Sequence, residues 1–233
     1  MERITRKELK TDRFALEVEQ ALDFFTAHRR QIIRYGAIAL ALVLVLAASR
    51  FYRRHQHAVR QQALTAALGI YNAPVGQTGN PFLPGYPSEE EKNKAAQKAF
   101  SELASRHAGS PEALIATYYL GVMAADRGDF AEAERHLRPV ADSRQANYAA
   151  LAKIALADIY ASQGKLAEAE KLLRSLVENP TDFVSKEHAS ILLAQLLARS
   201  RPQEARKLLE PLRTERSVIS RHALTALGEL SSP

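Results

Sequence analysis

The sequence predicts an all-α protein, with one N-terminal transmembrane helix followed by an α-solenoid of helical hairpins. Two observations lead to this fold class: residues 35–49 form an uncharged apolar stretch, and three related segments recur at a spacing of 36 residues. The 233-residue chain is 46% apolar and 25% charged, which is typical of folded proteins and excludes a fully disordered one. It contains no Cys, which excludes disulfides, thiolate metal sites and a Cys nucleophile.

Residues 1–31 form a charged tail that we expect to be cytoplasmic and partly helical. Phe14, Val18, Leu22 and Phe25 recur at spacings of four, four and three residues, which places them on one face of a helix. Two interpretations fit this pattern. The helix lies on the membrane surface or frays in solvent, or it is a cytosolic docking segment.

Residues 32–52 are predicted to form the transmembrane helix. Thirteen of the fifteen residues from 35 to 49 are apolar and none is charged. With its apolar flanks the stretch reaches 21 positions, about the length that a helix needs to cross a hydrocarbon core of about 30 Å. A cleaved signal peptide is disfavoured by the long segment before the stretch, and a buried soluble helix would need apolar neighbours on all sides.

Basic and aromatic side chains flank this helix, and we expect them at the membrane interfaces. Arginine can keep its charged head in the headgroup region, and tyrosine rings favour the same depth. The predicted interface residues are Arg30, Arg34, Tyr35, Arg50, Tyr52, Arg53 and Arg54. Three arginines precede the helix and four follow it within about 20 residues, so the flanking charge does not fix the orientation.

Three segments share a pattern that predicts the second helix of a hairpin. Each has a Glu-Ala pair, with large apolar residues four and seven positions after the Ala; the pairs are Glu132-Ala133, Glu168-Ala169 and Glu204-Ala205. Positions i, i+4 and i+7 share one helix face, and the small Ala allows the preceding helix to approach closely. The sequence therefore predicts repeats at about 111–146, 147–182 and 183–216.

The first helix of each predicted hairpin carries a matching pair, namely Leu120-Gly121, Leu156-Ala157 and Leu192-Leu193. Gly128 and Gly164 lie in the turns, where a left-handed residue is needed, and Pro202 is expected to begin the last second helix. This pattern resembles the tetratricopeptide repeat (TPR) family. The resemblance implies stacked helical hairpins that bind other proteins, although the family's usual period is 34 residues.

A degenerate first repeat is predicted over residues 58–107. Leu68-Gly69 fits its first helix, and Ala96, Phe100 and Leu103 reproduce the i, i+4, i+7 pattern in its second.

Between these two helices, residues 73–87 contain four Pro and three Gly and are predicted to be an inserted loop. Ser88 is expected to cap the helix that follows. At the other end of the chain, residues 217–230 are predicted to form a closing helix, because a terminal repeat needs an outer face that water tolerates.

The first helices of the repeats are predicted to line a groove that binds a partner. By the TPR register, the groove positions are Ile115, Tyr118, Val122, Ala125, Leu151, Ile154, Asp158 and Ala161. These residues are mainly apolar, which suits an amphipathic helix or an extended apolar segment. The alternative is that they pack against the inserted loop or the closing helix.

The sequence contains no phosphate loop, dinucleotide fingerprint, zinc-protease helix or nucleophile elbow. We therefore expect no catalytic site, no cofactor and no bound metal. Basic residues in the repeats lie beside acidic ones, which does not favour nucleic-acid binding.

The order of features is similar to that of the ancillary SecYEG translocon subunit family. A short charged tail, Phe24-Phe25, one membrane helix, a basic aromatic exit at residues 51–54 and a TPR-like domain follow one another. The resemblance implies a bacterial inner-membrane protein with a cytoplasmic N-terminus and a periplasmic repeat domain. It also implies association with Sec translocon subunits and a periplasmic chaperone, in the handling of exported proteins, and no enzymatic activity.

Two other hypotheses stay open at this point. One is a scaffold for another envelope assembly, in secretion, pilus or outer-membrane biogenesis. The other is an enzyme, which a deep polar pocket with converging titratable groups would favour.

Overall fold

The computed structural model describes residues 6–76, 85–214, 222, 225 and 226. Within these residues the chain forms eight α-helices and a short 3-10 helix at Glu210–Thr214, and it has no β-strand. The all-α fold class predicted from the sequence is confirmed. The chain divides into two units, Met1–Ala58 and Val59–Pro233.

Helix α1 (Arg6–Tyr71) contains the predicted transmembrane segment. Within Ile33–Tyr71, α1 includes a window with a mean hydropathy of 1.8, none of which is buried. Leu44, Val45 and Leu46 expose 60%, 66% and 69% of their surfaces. This part of α1 is therefore long and apolar enough to cross a membrane. The limits 32–52 stay a prediction.

The second unit contains seven further helices, each of which packs against the next along the chain, while α3 also contacts α5. They are α2 (Glu89–Arg106), α3 (Pro111–Asp126), α4 (Phe130–Ala141), α5 (Ala146–Ser162), α6 (Leu166–Glu178), α7 (Lys186–Leu197) and α8 (Pro202–Leu209). Contact between successive neighbours, and between first helices of successive hairpins, is the arrangement of a helical solenoid.

The second helices α4, α6 and α8 bury the face that the sequence pattern predicts. Ala133, Ala169 and Ala205 are all fully buried. The large apolar residues four and seven positions after them are buried as well, namely Leu137, Val140, Leu173, Leu176, Leu209 and Leu212. These residues belong to one continuous core that extends from α3 to α8 and the 3-10 helix.

The turns of the first two complete hairpins also follow the prediction. Gly128 and Gly164 both have φ of +75°, a left-handed conformation that costs glycine little. Pro202 begins α8, where its missing N–H is not needed.

The third hairpin differs from the prediction by one residue. Leu193 and Ala194 are buried while Leu192 is only half-buried, so the predicted pair Leu192-Leu193 is wrong. The buried pair lies one residue closer to Ala205 than the equivalent pairs lie to Ala133 and Ala169. The reason is the turn, which lacks a glycine and leads directly into Pro202.

The degenerate hairpin is formed by the end of α1 and by α2. Ala96, Phe100 and Leu103 are buried on α2, as predicted, and they share a core with Ala67 of α1. Gly69 differs from Gly121, because Gly69 is exposed and a Cβ there would meet nothing within 4 Å.

The ends of the predicted inserted loop are joined by a single β-bridge. Gly76 donates a backbone hydrogen bond to Tyr86 (2.9 Å), and Tyr86 donates one to Pro74 (3.1 Å). Ser88 caps α2 by accepting a hydrogen bond from the N–H of Glu91 (3.2 Å), as predicted. Residues 77–84 of the loop lie outside the described residues.

Most of the predicted closing helix, residues 217–230, also lies outside the described residues. His222, Thr225 and Ala226 are helical, and Ala226 is buried in the core of the hairpins.

Candidate functional site

The predicted groove residues lie on α3 and α5, the two first helices that contact each other. Seven of them are half-buried, and Asp158 is exposed. Six pack on one side against the core of the hairpins: Tyr118, Val122, Ala125, Leu151, Ile154 and Ala161. We call these eight predicted residues, together with Tyr148, the α3–α5 surface.

An aromatic run crosses this surface. Its neighbouring ring centroids lie 5.0 to 6.2 Å apart, in the order Tyr71, Phe100, Tyr119, Tyr118, Tyr148 and Phe183. Phe100 is fully buried, whereas Phe183 is 52% exposed. The sequence analysis identified only Tyr118 as a surface position. It missed the contact with Tyr148 because the two tyrosines lie 30 residues apart, which does not fit the 36-residue period.

The tyrosines at the centre of the run are partly withdrawn from water. Burial, together with the neighbouring tyrosines and Asp126, raises the pKa of Tyr118 to about 12. Burial also raises the pKa of Tyr148. Both rings are therefore neutral at physiological pH, and they offer an apolar body with a hydroxyl at its edge.

Two carboxylates lie toward the C-terminal ends of the same helices. Asp126 is the last residue of α3, and Asp158 lies in the last turns of α5. Water reaches Asp158, yet protein atoms around its carboxyl group desolvate it enough to raise its pKa. Among the described residues, neither carboxylate forms an ion pair.

A comparison with protein families matches residues 24–186 to the tetratricopeptide repeat-like domain. This range is more than half of the 233 residues. The chain belongs to the tetratricopeptide repeat-like domain family. The searches of curated proteins and of solved structures found no match.

The TPR-like match confirms the resemblance that the repeats predicted. Its range begins before the apolar stretch of α1 and ends at the first residue of α7. It therefore includes the candidate membrane span as well as both helices of the first two complete hairpins.

The predicted interface residues of this TPR-like protein are all exposed along α1. The chain has no acidic residue between Asp23 and Glu89. The arginines at positions 30, 34, 50, 53 and 54 therefore have no carboxylate nearby in sequence, which suits a segment that meets phosphate headgroups.

Arg60 is different from the other arginines near the apolar stretch. Its Nε donates a hydrogen bond to Oε2 of Glu112 at 3.0 Å, and Glu112 is buried at the start of α3. The sequence analysis counted Arg60 with the arginines that flank the membrane helix. The structure shows that its charge instead pairs with a carboxylate of the TPR-like domain.

The structure also has a cavity of about 360 Å³ between the α2–α3 and α4–α5 turns. Small and polar residues line it, and Arg144 is the one charged residue among them. Among the described residues there is no group of three or more His, Cys, Asp or Glu side chains placed to hold a metal ion.

Proposed function

We propose that this TPR-like protein is a membrane-anchored adaptor that binds other proteins through the α3–α5 surface and has no catalytic activity of its own. The observation that carries the proposal is the family match, because TPR-like domains are typically modules of protein interaction. The α3–α5 surface supports it with large, half-buried apolar and aromatic side chains that a partner can cover.

We propose further that the adaptor associates with Sec translocon subunits and a periplasmic chaperone and takes part in the handling of exported proteins. The order of the charged tail, the apolar segment, the basic exit and the TPR-like domain supports this role. In this arrangement the protein crosses the bacterial inner membrane once, with its N-terminus in the cytoplasm and its TPR-like domain in the periplasm. A scaffold for another envelope assembly is the alternative.

Site-specific crosslinking of the full chain in its membrane tests the adaptor role. A photo-reactive amino acid at position 118 or 154 is expected to capture Sec subunits, a periplasmic chaperone or exported chains. The same probe at Lys171, which is exposed on α6, is the matched control. Capture of components of another envelope assembly would favour the scaffold. Absence of any partner specific to positions 118 and 154 would contradict the adaptor role.

The proposed orientation has its own test. Alkaline phosphatase fused after Pro233 should be active, since the enzyme folds only outside the cytoplasm. An inactive fusion that accumulates normally would reverse the orientation.

A further inference from the structure

The α3–α5 surface is not uniform along its length. Short turns make neighbouring helices antiparallel, so α3 and α5, with one helix between them, run in the same direction. Tyr118 contacts Tyr148 with ring centroids 5.6 Å apart, which fixes one aromatic point shared by both helices. The large apolar residues Ile115, Leu151 and Ile154 surround this point in the sequence.

The other end of the surface is negative. Asp126 lies eight residues after Tyr118, and Asp158 lies ten residues after Tyr148, which corresponds to about 12 and 15 Å along each helix. The C-terminal ends of α3 and α5 add the negative ends of two helix dipoles there.

The cations nearest in sequence are already engaged. Arg127, which follows α3, pairs with Glu132 at 3.3 Å. Lys165, which follows α5, lies over the ring of Tyr160 at 5.5 Å from its centroid. The two carboxylates are therefore left to interact with a charge from outside the described residues.

We propose that the α3–α5 surface recognises an amphipathic helix with one apolar face and with Lys or Arg at one end. A helix of about ten residues is about 15 Å long, which matches the separation between the aromatic point and the carboxylates. Its apolar face covers the aromatic and aliphatic side chains, and its basic end meets Asp126 and Asp158. This inference rests on the proposed adaptor function and specifies the chemistry of its partner.

Two synthetic peptides test the proposal on the full chain in nanodiscs of zwitterionic phosphatidylcholine. Both have 14 residues, with leucines on one helical face. One ends in two Lys and the other in two Glu. Empty nanodiscs measure the partition of each peptide into lipid. We expect the Lys peptide to bind the protein about tenfold more tightly than the Glu peptide, because only the Lys peptide complements the carboxylates.

A pair of variants locates the effect. Asp126→Asn with Asp158→Asn should weaken binding of the Lys peptide about fivefold or more. The matched control is Asp142→Asn with Glu178→Gln, which removes two exposed carboxylates at the ends of α4 and α6 and should leave the affinity unchanged.

Equal affinities for the two peptides, or equal weakening by the two double variants, would show that the basic end is not recognised. If position 118 captures cellular partners while the Lys peptide does not bind, the inference is wrong and the adaptor role stands. If neither the cellular partners nor the peptide binds, both are wrong. Circular dichroism checks that the variants fold, and the comparison of peptides on the unmodified protein does not depend on them.

Discussion

Gly121 lies on α3 where that helix comes closest to α4. A Cβ atom there would lie 2.6 Å from Cγ of Leu137, which is fully buried. Because glycine inside a helix lowers stability relative to alanine, its presence here is explained by the close packing. Gly69 on α1 lacks this reason, since a Cβ there would have no neighbour within 4 Å.

We expect Gly121→Ala to lower the free energy of unfolding by about 1–3 kcal/mol, because the new methyl group overpacks the interface with Leu137. Gly69→Ala is the control and should raise the free energy of unfolding by about 0.5–1 kcal/mol. Denaturation of the full chain in detergent, followed by circular dichroism, measures both. Similar effects of the two substitutions would contradict the close approach of α3 and α4.

The contact between Arg60 and Glu112 is also decided by single side chains. We expect Glu112→Gln to lower the free energy of unfolding by about 1–3 kcal/mol, because the guanidinium loses its charged partner in a partly buried position. Replacing both, as Arg60→Met with Glu112→Leu, should recover most of this loss. A double variant that is as unstable as the sum of the single variants would show that the pair adds nothing to stability.

Between elements, α6 and the start of α8 are joined by a ring of alternating charges, formed by Glu170, Arg174, Arg201 and Glu204. Arg174 binds Glu170 at 2.8 Å, and Arg201 binds Glu204 at 3.1 Å. Arg174 also contacts Glu204, and Arg201 also contacts Glu170. The ring connects two hairpins beside the turn that lacks a glycine.

The ring should make stability depend on pH. Burial acts to raise the pKa of Glu170, but hydrogen bonds from Arg174 and Arg201 outweigh it and hold the pKa below its ordinary value of 4.5. Since the folded pKa is the lower one, this stabilisation is present above about pH 4.5 and is lost as the pH falls through the folded value.

We therefore expect the free energy of unfolding to fall less steeply below about pH 5 in Glu170→Gln than in the unmodified protein. At neutral pH the variant should be less stable by about 0.5–1 kcal/mol. Glu168→Gln on the exposed side of α6 is the control and should keep the original pH dependence. Parallel pH profiles for Glu170→Gln and the unmodified protein would contradict the assignment.

At the scale of the whole molecule, the two units treat their apolar residues in opposite ways. The hairpins enclose Ala and Leu between helices, whereas the apolar stretch of α1 exposes side chains on every face. A water-exposed surface of this kind is stable only if something apolar covers it, and a bilayer does so along the full length of the stretch.

We expect Leu42→Arg with Leu44→Arg to release the protein from the membrane. An arginine near the centre of a spanning helix raises the free energy of insertion by about 2.5–3.5 kcal/mol. Alkaline carbonate extraction measures the release. The control is Leu166→Arg on α6, where the side chain is already 47% exposed. Retention of the double variant in the membrane fraction would contradict a span over these residues.

The sequence by itself determined the all-α class, the repeated second-helix face and the turns at Gly128 and Gly164. These features follow from local periodicity and from backbone requirements, which neighbouring residues reveal. Only the tertiary structure decided the contact of Arg60 with Glu112, the aromatic run across α3 and α5, and the burial of Leu193-Ala194. The reason is that such contacts join residues distant in sequence, or depend on how each helix is rotated about its axis, and no local pattern specifies that rotation.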